Sequence, residues 1–209
     1  MKRYIKNTIV FFCYIAVCIF ITSCTPIVEN YDKSSQSNVQ KNLAEEAKNN
    51  NENKLSKVIY DDDFIVTGGK NTIVLDTLYK DFTINKKEIE LEDNYVGDVS
   101  SGDYVYKYYI HKFEDFEMYV SNANYDKKNR DFNEYYISQI TLINSNFKTA
   151  RGISLGSSYD DVIRLYGEGI KQYEESGKFI IYQLNDKALS FEIDENQKIK
   201  DITLRVIVE

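Results

Sequence analysis

The stretch that decides the fold is Gly152-Ile153-Ser154-Leu155-Gly156-Ser157-Ser158-Tyr159-Asp160-Asp161-Val162-Ile163-Arg164-Leu165-Tyr166-Gly167. It reads as a strand end, a tight glycine turn, a capped helix and a glycine stop. Ser157 or Ser158 can accept from the unpaired amides of a first helical turn, and Asp160 and Asp161 sit where the helix dipole favours negative charge. Val162, Ile163, Leu165 and Tyr166 supply an apolar face, and Gly167 can adopt the left-handed stop. The glycine and serines resemble a catalytic elbow or a phosphate cradle only superficially. We assign residues 152–167 to architecture.

Outward from this stretch the chain alternates. Tyr104, Tyr106, Tyr108 and Ile110 share one strand face, as do Phe116, Met118 and Val120, then Leu189, Phe191 and Ile193, then Ile202, Leu204, Val206 and Val208. A period of two in aromatic and β-branched residues predicts strands. Asp194-Glu195-Asn196-Gln197, residues 112–115 and Asn185-Asp186-Lys187 read as hairpin turns.

The opening stretch has an echo. Ile73-Val74-Leu75-Asp76-Thr77-Leu78-Tyr79-Lys80-Asp81-Phe82 aligns with the ten residues from Ile153, keeping Ile, Leu, Tyr and Asp in register with Thr facing Ser at the cap. Downstream, 106–110 parallels 180–184, 116–120 parallels 189–193, and 137–142 parallels 199–204. Four segments in one order predict a duplication. The expected fold is therefore α+β: two tandem units, each a short helical start followed by an antiparallel β-meander. The first unit spans 57–144, with extra loops near 95–103 and 122–134, and the second spans 145–209.

On these residues the chain resembles the β-lactamase-inhibitor-protein-like fold, in tandem-repeat bacterial lipoproteins of uncharacterised function. The Gly156-Ser157-Ser158 and Asp161-Val162 pattern ending Tyr166-Gly167 is also similar to the small lipoprotein of the outer-membrane barrel-assembly machinery. The first unit departs from the pattern, with Asp76 for the turn glycine and Lys87 for the closing one. The resemblance implies binding or scaffolding rather than catalysis.

The N-terminus predicts location. Lys2, Arg3 and Lys6 form a basic region, residues 8–21 are apolar, and Ile21-Thr22-Ser23-Cys24 resembles a lipobox. The apolar run is short for a membrane span of about 20 residues. Residues 1–23 then read as a lipoprotein signal peptide, and Cys24 as the lipidated residue that anchors the protein to the bacterial membrane on its extracytoplasmic side. The polar stretch 24–56 reads as a flexible tether, too poor in apolar residues to offset its ordering entropy.

Charge and composition exclude several functions. The full chain of 209 residues carries a formal charge of −7. Cleavage before Cys24 would take three of its 26 basic residues and none of its 33 acidic ones, leaving 23 against 33, or −10. Such a surface repels nucleic-acid backbones. Cleavage would also remove Cys13 and Cys18, so the mature domain has no disulfide. His111 is the only histidine; it reads as a surface residue and cannot build a histidine metal site. Thr67-Gly68-Gly69-Lys70 lacks the spacing of a phosphate loop and reads as a turn. Asp61-Asp62-Asp63, and Asp126, Asn129, Asp131 and Asn133, lack the order of a calcium loop and read as solvated loops. No cofactor, metal or catalytic residue is expected.

What remains is the sheet face away from the helices. If Tyr106, Tyr108 and Ile110 point inward with Phe116, Met118 and Val120, the open face carries Lys107, Tyr109, Glu117, Tyr119, Gln139 and Thr141. Its second half carries Ile181, Gln183, Ser190, Glu192, Thr203 and Arg205. Tyrosine offers large contact area, low entropy cost and a hydroxyl. The expected function is a binding or scaffolding module, not an enzyme, whose partners are the membrane, through the lipid, and an unknown protein or envelope component. A carboxylate-based hydrolase acting near the cell wall, and a small-ligand or peptide sensor using the groove between units, stay open as alternatives.

Overall fold

The computed structural model describes residues 57–174 and 177–208, which belong to one compact unit. Cys24, the signal peptide and the tether lie outside the described residues. Twelve strands and one α-helix follow in order. They are β1 (Ile65–Gly68), β2 (Asn71–Val74), β3 (Glu88–Ile89), β4 (Tyr95–Ser101), β5 (Tyr104–Phe113), β6 (Phe116–Ser121), β7 (Tyr136–Leu142) and β8 (Lys148–Thr149). Then come α1 (Tyr159–Tyr166), β9 (Ile170–Glu174), β10 (Gly177–Leu184), β11 (Lys187–Ile193) and β12 (Ile199–Val206). Two short 3-10 turns, Asp61–Phe64 and Tyr79–Asp81, complete the set.

Nine of the strands form one antiparallel sheet, ordered β3-β5-β6-β7-β12-β11-β10-β9, with β4 beside β3 on the same edge of β5. The other three form a small sheet, β2-β1-β8. Small sheet and helix lie together on one face of the large sheet. Phe64, Val66, Ile73, Leu75, Phe147, Ile153, Val162 and Tyr166 from the cover meet Met118, Ile140, Leu189, Phe191, Ile202 and Leu204 from the sheet in one buried cluster. Each such side chain contributes roughly 1.5–3 kcal/mol on burial. Gly68 lets β1 approach closely, since a Cβ there would lie 2.6 Å from the Phe147 ring.

The helix forms as its sequence dictates. Ser158 accepts from the Asp161 amide (3.1 Å) and donates to the Asp161 carboxylate (2.6 Å), which also takes Arg164 at 2.6 Å. The Ser158 hydroxyl, then Arg164, hold the Asp161 carboxyl down at about 2. Gly167 closes the helix with φ 78° and donates to the Ile163 carbonyl.

The α+β layout of two units, each opened by a helix, does not hold. Strand accounts for 49% of the described residues and helix for 10%, and α1 is the one α-helix among them. The echo at 73–82 is the end of β2, an Asp76 in the left-handed region (φ 66°) and the three-residue turn Tyr79–Asp81. Residues 76–79 are drawn against β7 instead: the Asp76 amide donates to the Ile137 carbonyl, the Ile137 amide to Thr77, and the Tyr79 amide to Tyr135. Those pairings take up backbone groups that a helix would need. Thr77 turns its hydroxyl back to the Val74 carbonyl (2.8 Å), so it caps nothing.

Candidate functional site

The uncovered face of the large sheet can be built row by row from strand register. One row runs Lys112, Glu117, Thr141, Thr203, Ser190, Ile181, Ile170. The next runs Ile110, Tyr119, Gln139, Arg205, Ala188, Gln183. On the far side of the first row lie Asp201, Glu192, Phe179 and Gln172. Glu117, Thr141 and Ile181 thus share one row, and Tyr119, Gln183 and Arg205 the other, as the sequence led us to expect.

Lys107 and Tyr109 do not join them. Tyr109 registers with Val120 on the covered face, its ring 5.5 Å from Tyr95 and 5.4 Å from Tyr135. The Lys107 ammonium lies 5.8 Å from the centre of the Phe132 ring. Tyr108 and Ile110 take the open side, as partners of Ser121 and Tyr119. Strand β5 is apolar on both faces, so its alternation alone does not say which side is inward. His111 and Phe113 do, because both are buried. His111 is consequently no surface residue: its Nδ1 sits 2.7 Å from the Glu88 carboxylate and 3.0 Å from the Tyr79 hydroxyl.

A directed hydrogen-bond chain crosses the face. Thr203 donates to the Asp201 carboxylate (2.9 Å), so the Thr141–Thr203 contact (3.0 Å) has Thr141 as donor. The Gln139 amide in turn donates to Thr141 (3.2 Å). Burial pushes the Asp201 carboxyl up, against the Thr203 hydrogen bond that holds it down. Two ion pairs lie within the face, Lys112 with Glu117 and Lys200 with Glu192, each at 2.7 Å. Burial, then the Glu117 charge, raises the Tyr119 phenol.

Residues 122–134 wall one end of this face. Tyr125 packs edge-on against Tyr104 and Tyr106, and Tyr106 is fully buried with its hydroxyl donating to Asp126 at 2.5 Å. Arg130 stacks 3.8 Å from the centre of the Tyr136 ring and pairs with Asp76 at 2.6 Å, while Lys128 reaches Asp186 at 2.6 Å. The expected solvated loop at 122–134 is thus partly packed, with Asp126 accepting from the buried Tyr106; Asp201 was not singled out, and its same-face spacing with Thr203 and Arg205 was the available signal.

Elsewhere, an open cavity of about 480 Å³ is lined by residues 88–94, four of them acidic. No group of three or more His, Cys, Asp or Glu side chains is gathered to hold a metal among the described residues. Comparison with family models, curated proteins and solved structures returned no match.

Proposed function

We propose that this chain is a lipid-anchored, extracytoplasmic binding or scaffolding module that engages a protein or cell-envelope component through the open sheet face. The observation that carries the reading is the asymmetry of the large sheet. One side is sealed by the small sheet and α1, and the other presents rows of aromatic, amide and hydroxyl side chains. The lipobox-like Ile21-Thr22-Ser23-Cys24 supplies the anchor in this reading.

Recognition suits the face better than catalysis. Glu192 and Asp201 are cross-strand partners, and a hydrolase would rest on them. Glu192 is committed to Lys200, however, and Asp201 to Thr203.

A photoreactive side chain at Gln183, on the open face, tests the reading against one at Thr72, exposed on the small sheet. In intact cells the Gln183 position is expected to give a discrete adduct and the Thr72 position none. Equal labelling at both, or no adduct at Gln183, overturns the assignment.

A further inference from the structure

Arg205 stands apart from every other charge on the open face. Lys112 and Lys200 are neutralised by Glu117 and Glu192, and at the wall Arg130 and Lys128 are neutralised by Asp76 and Asp186. Arg205 is exposed and its guanidinium has no partner among the described residues. On the rows of the open face Arg205 is thus the cation left without an ion pair, although exposed lysines elsewhere, Lys127 of the wall among them, also lack one.

Its neighbours define a shape. Register places Gln139 on one side and Ala188 on the other, with Gln183 beyond Ala188. Ala188 is fully buried, so the surface of this row is carried by Gln139, Arg205 and Gln183. Strands lie about 4.8 Å apart, which sets Gln139 and Gln183 roughly 14 Å apart. About four residues of an extended peptide cover that distance at ~3.4 Å each. Each glutamine offers both a donor and an acceptor, as a peptide backbone requires. Tyr119 and Ile110 continue the row with apolar surface.

We propose that Arg205 anchors the open face by receiving one carboxylate from an extended acidic segment of a partner protein. The segment lies along the row from Gln139 to Gln183. The planar guanidinium grips a carboxylate through two parallel N–H···O bonds, which an ammonium cannot do. One unpaired cation matches one anionic group, whereas the acidic surroundings repel a polyanion. This inference rests on the open face being the binding surface.

The test uses the full chain in detergent and an array of extended heptapeptides, each carrying one glutamate, beside twins with glutamine in its place. A parallel array carries uronic-acid oligosaccharides. Glutamate peptides are expected to bind about tenfold more tightly than their twins. Arg205→Ala should erase that preference with an unchanged melting temperature, and Arg205→Lys should retain only part of it. Equal binding of the twins, no binding by any peptide, a preference that survives Arg205→Ala, or Arg205-dependent binding of the oligosaccharides alone each overturns the proposal. A Gln183 adduct in cells alongside any of these results leaves the open-face reading standing and removes only the acidic-peptide partner.

Discussion

Asp115 shows how a single buried carboxylate holds this fold together. It sits in the two-residue turn between β5 and β6, fully buried, and takes Lys86 together with the amides of Asn146 (2.7 Å) and Asn144 (2.9 Å). The Ile143 amide donates to its backbone carbonyl. The Lys86 ammonium, then the two asparagine amides, hold its carboxyl at about 2, below the ordinary 3.8. The sign follows from the depression: the folded state releases this proton more readily than the unfolded chain. The stabilisation is complete above about pH 5 and disappears as pH falls from about 4 toward 2. Asp115→Asn is therefore expected to lower stability by about 2 kcal/mol at neutral pH. Urea midpoints measured from pH 7 to pH 2 should show the two proteins converging at the acid end. Parallel curves would show that Asp115 is not the titrating group.

At the scale of elements, α1 rests on its cap. Ser158→Ala removes the acceptor for the Asp161 amide and the donor to its carboxylate, and is expected to cost about 1 kcal/mol in chemical denaturation. Ser157→Ala, whose hydroxyl accepts from the Ser154 amide, separates a general loss of polarity from loss of the cap. This helix was legible because Ser158, Asp161, Val162, Tyr166 and Gly167 all carry the same message locally. The echo at 73–82 misled because its Ile, Leu, Tyr and Asp match the helical stretch from Ile153, while the backbone of residues 76–79 is claimed by residues 135–137, distant in sequence. Strand β5 misled for another reason: tyrosines line both of its faces. The deciding signal was the turn. Two residues, Glu114 and Asp115, separate Phe113 from Phe116, which makes Phe113, His111 and Tyr109 the same-face neighbours of Phe116, Met118 and Val120. Strands β6, β7, β11 and β12 were readable because only one face of each is apolar. Hence Glu117, Tyr119, Thr141 and Arg205 fell where expected.

For the whole molecule, the decisive property is that a sheet of nine strands has one sealed side and one free side. In the proposed function the lipid at Cys24 keeps the domain at a membrane. Cys24→Ala is expected to move the protein from the membrane fraction to the soluble fraction. Continued membrane association of a full-length product would identify residues 8–21 as a retained anchor instead. The sheet is not uniform along its width. Strands β11 and β12 are joined over seven register pairs, whereas β7 and β12 meet over three, 203 with 141, 204 with 140 and 205 with 139. Beyond Gln139, β7 departs to pair with residues 76–79. The seam between β7 and β12 is therefore short, and Gln139 and Arg205 form its last pair. A segment laid from Gln139 to Gln183 would act as a splint across it. An occupied face would then hold β7 and β12 together over more than their three shared pairs.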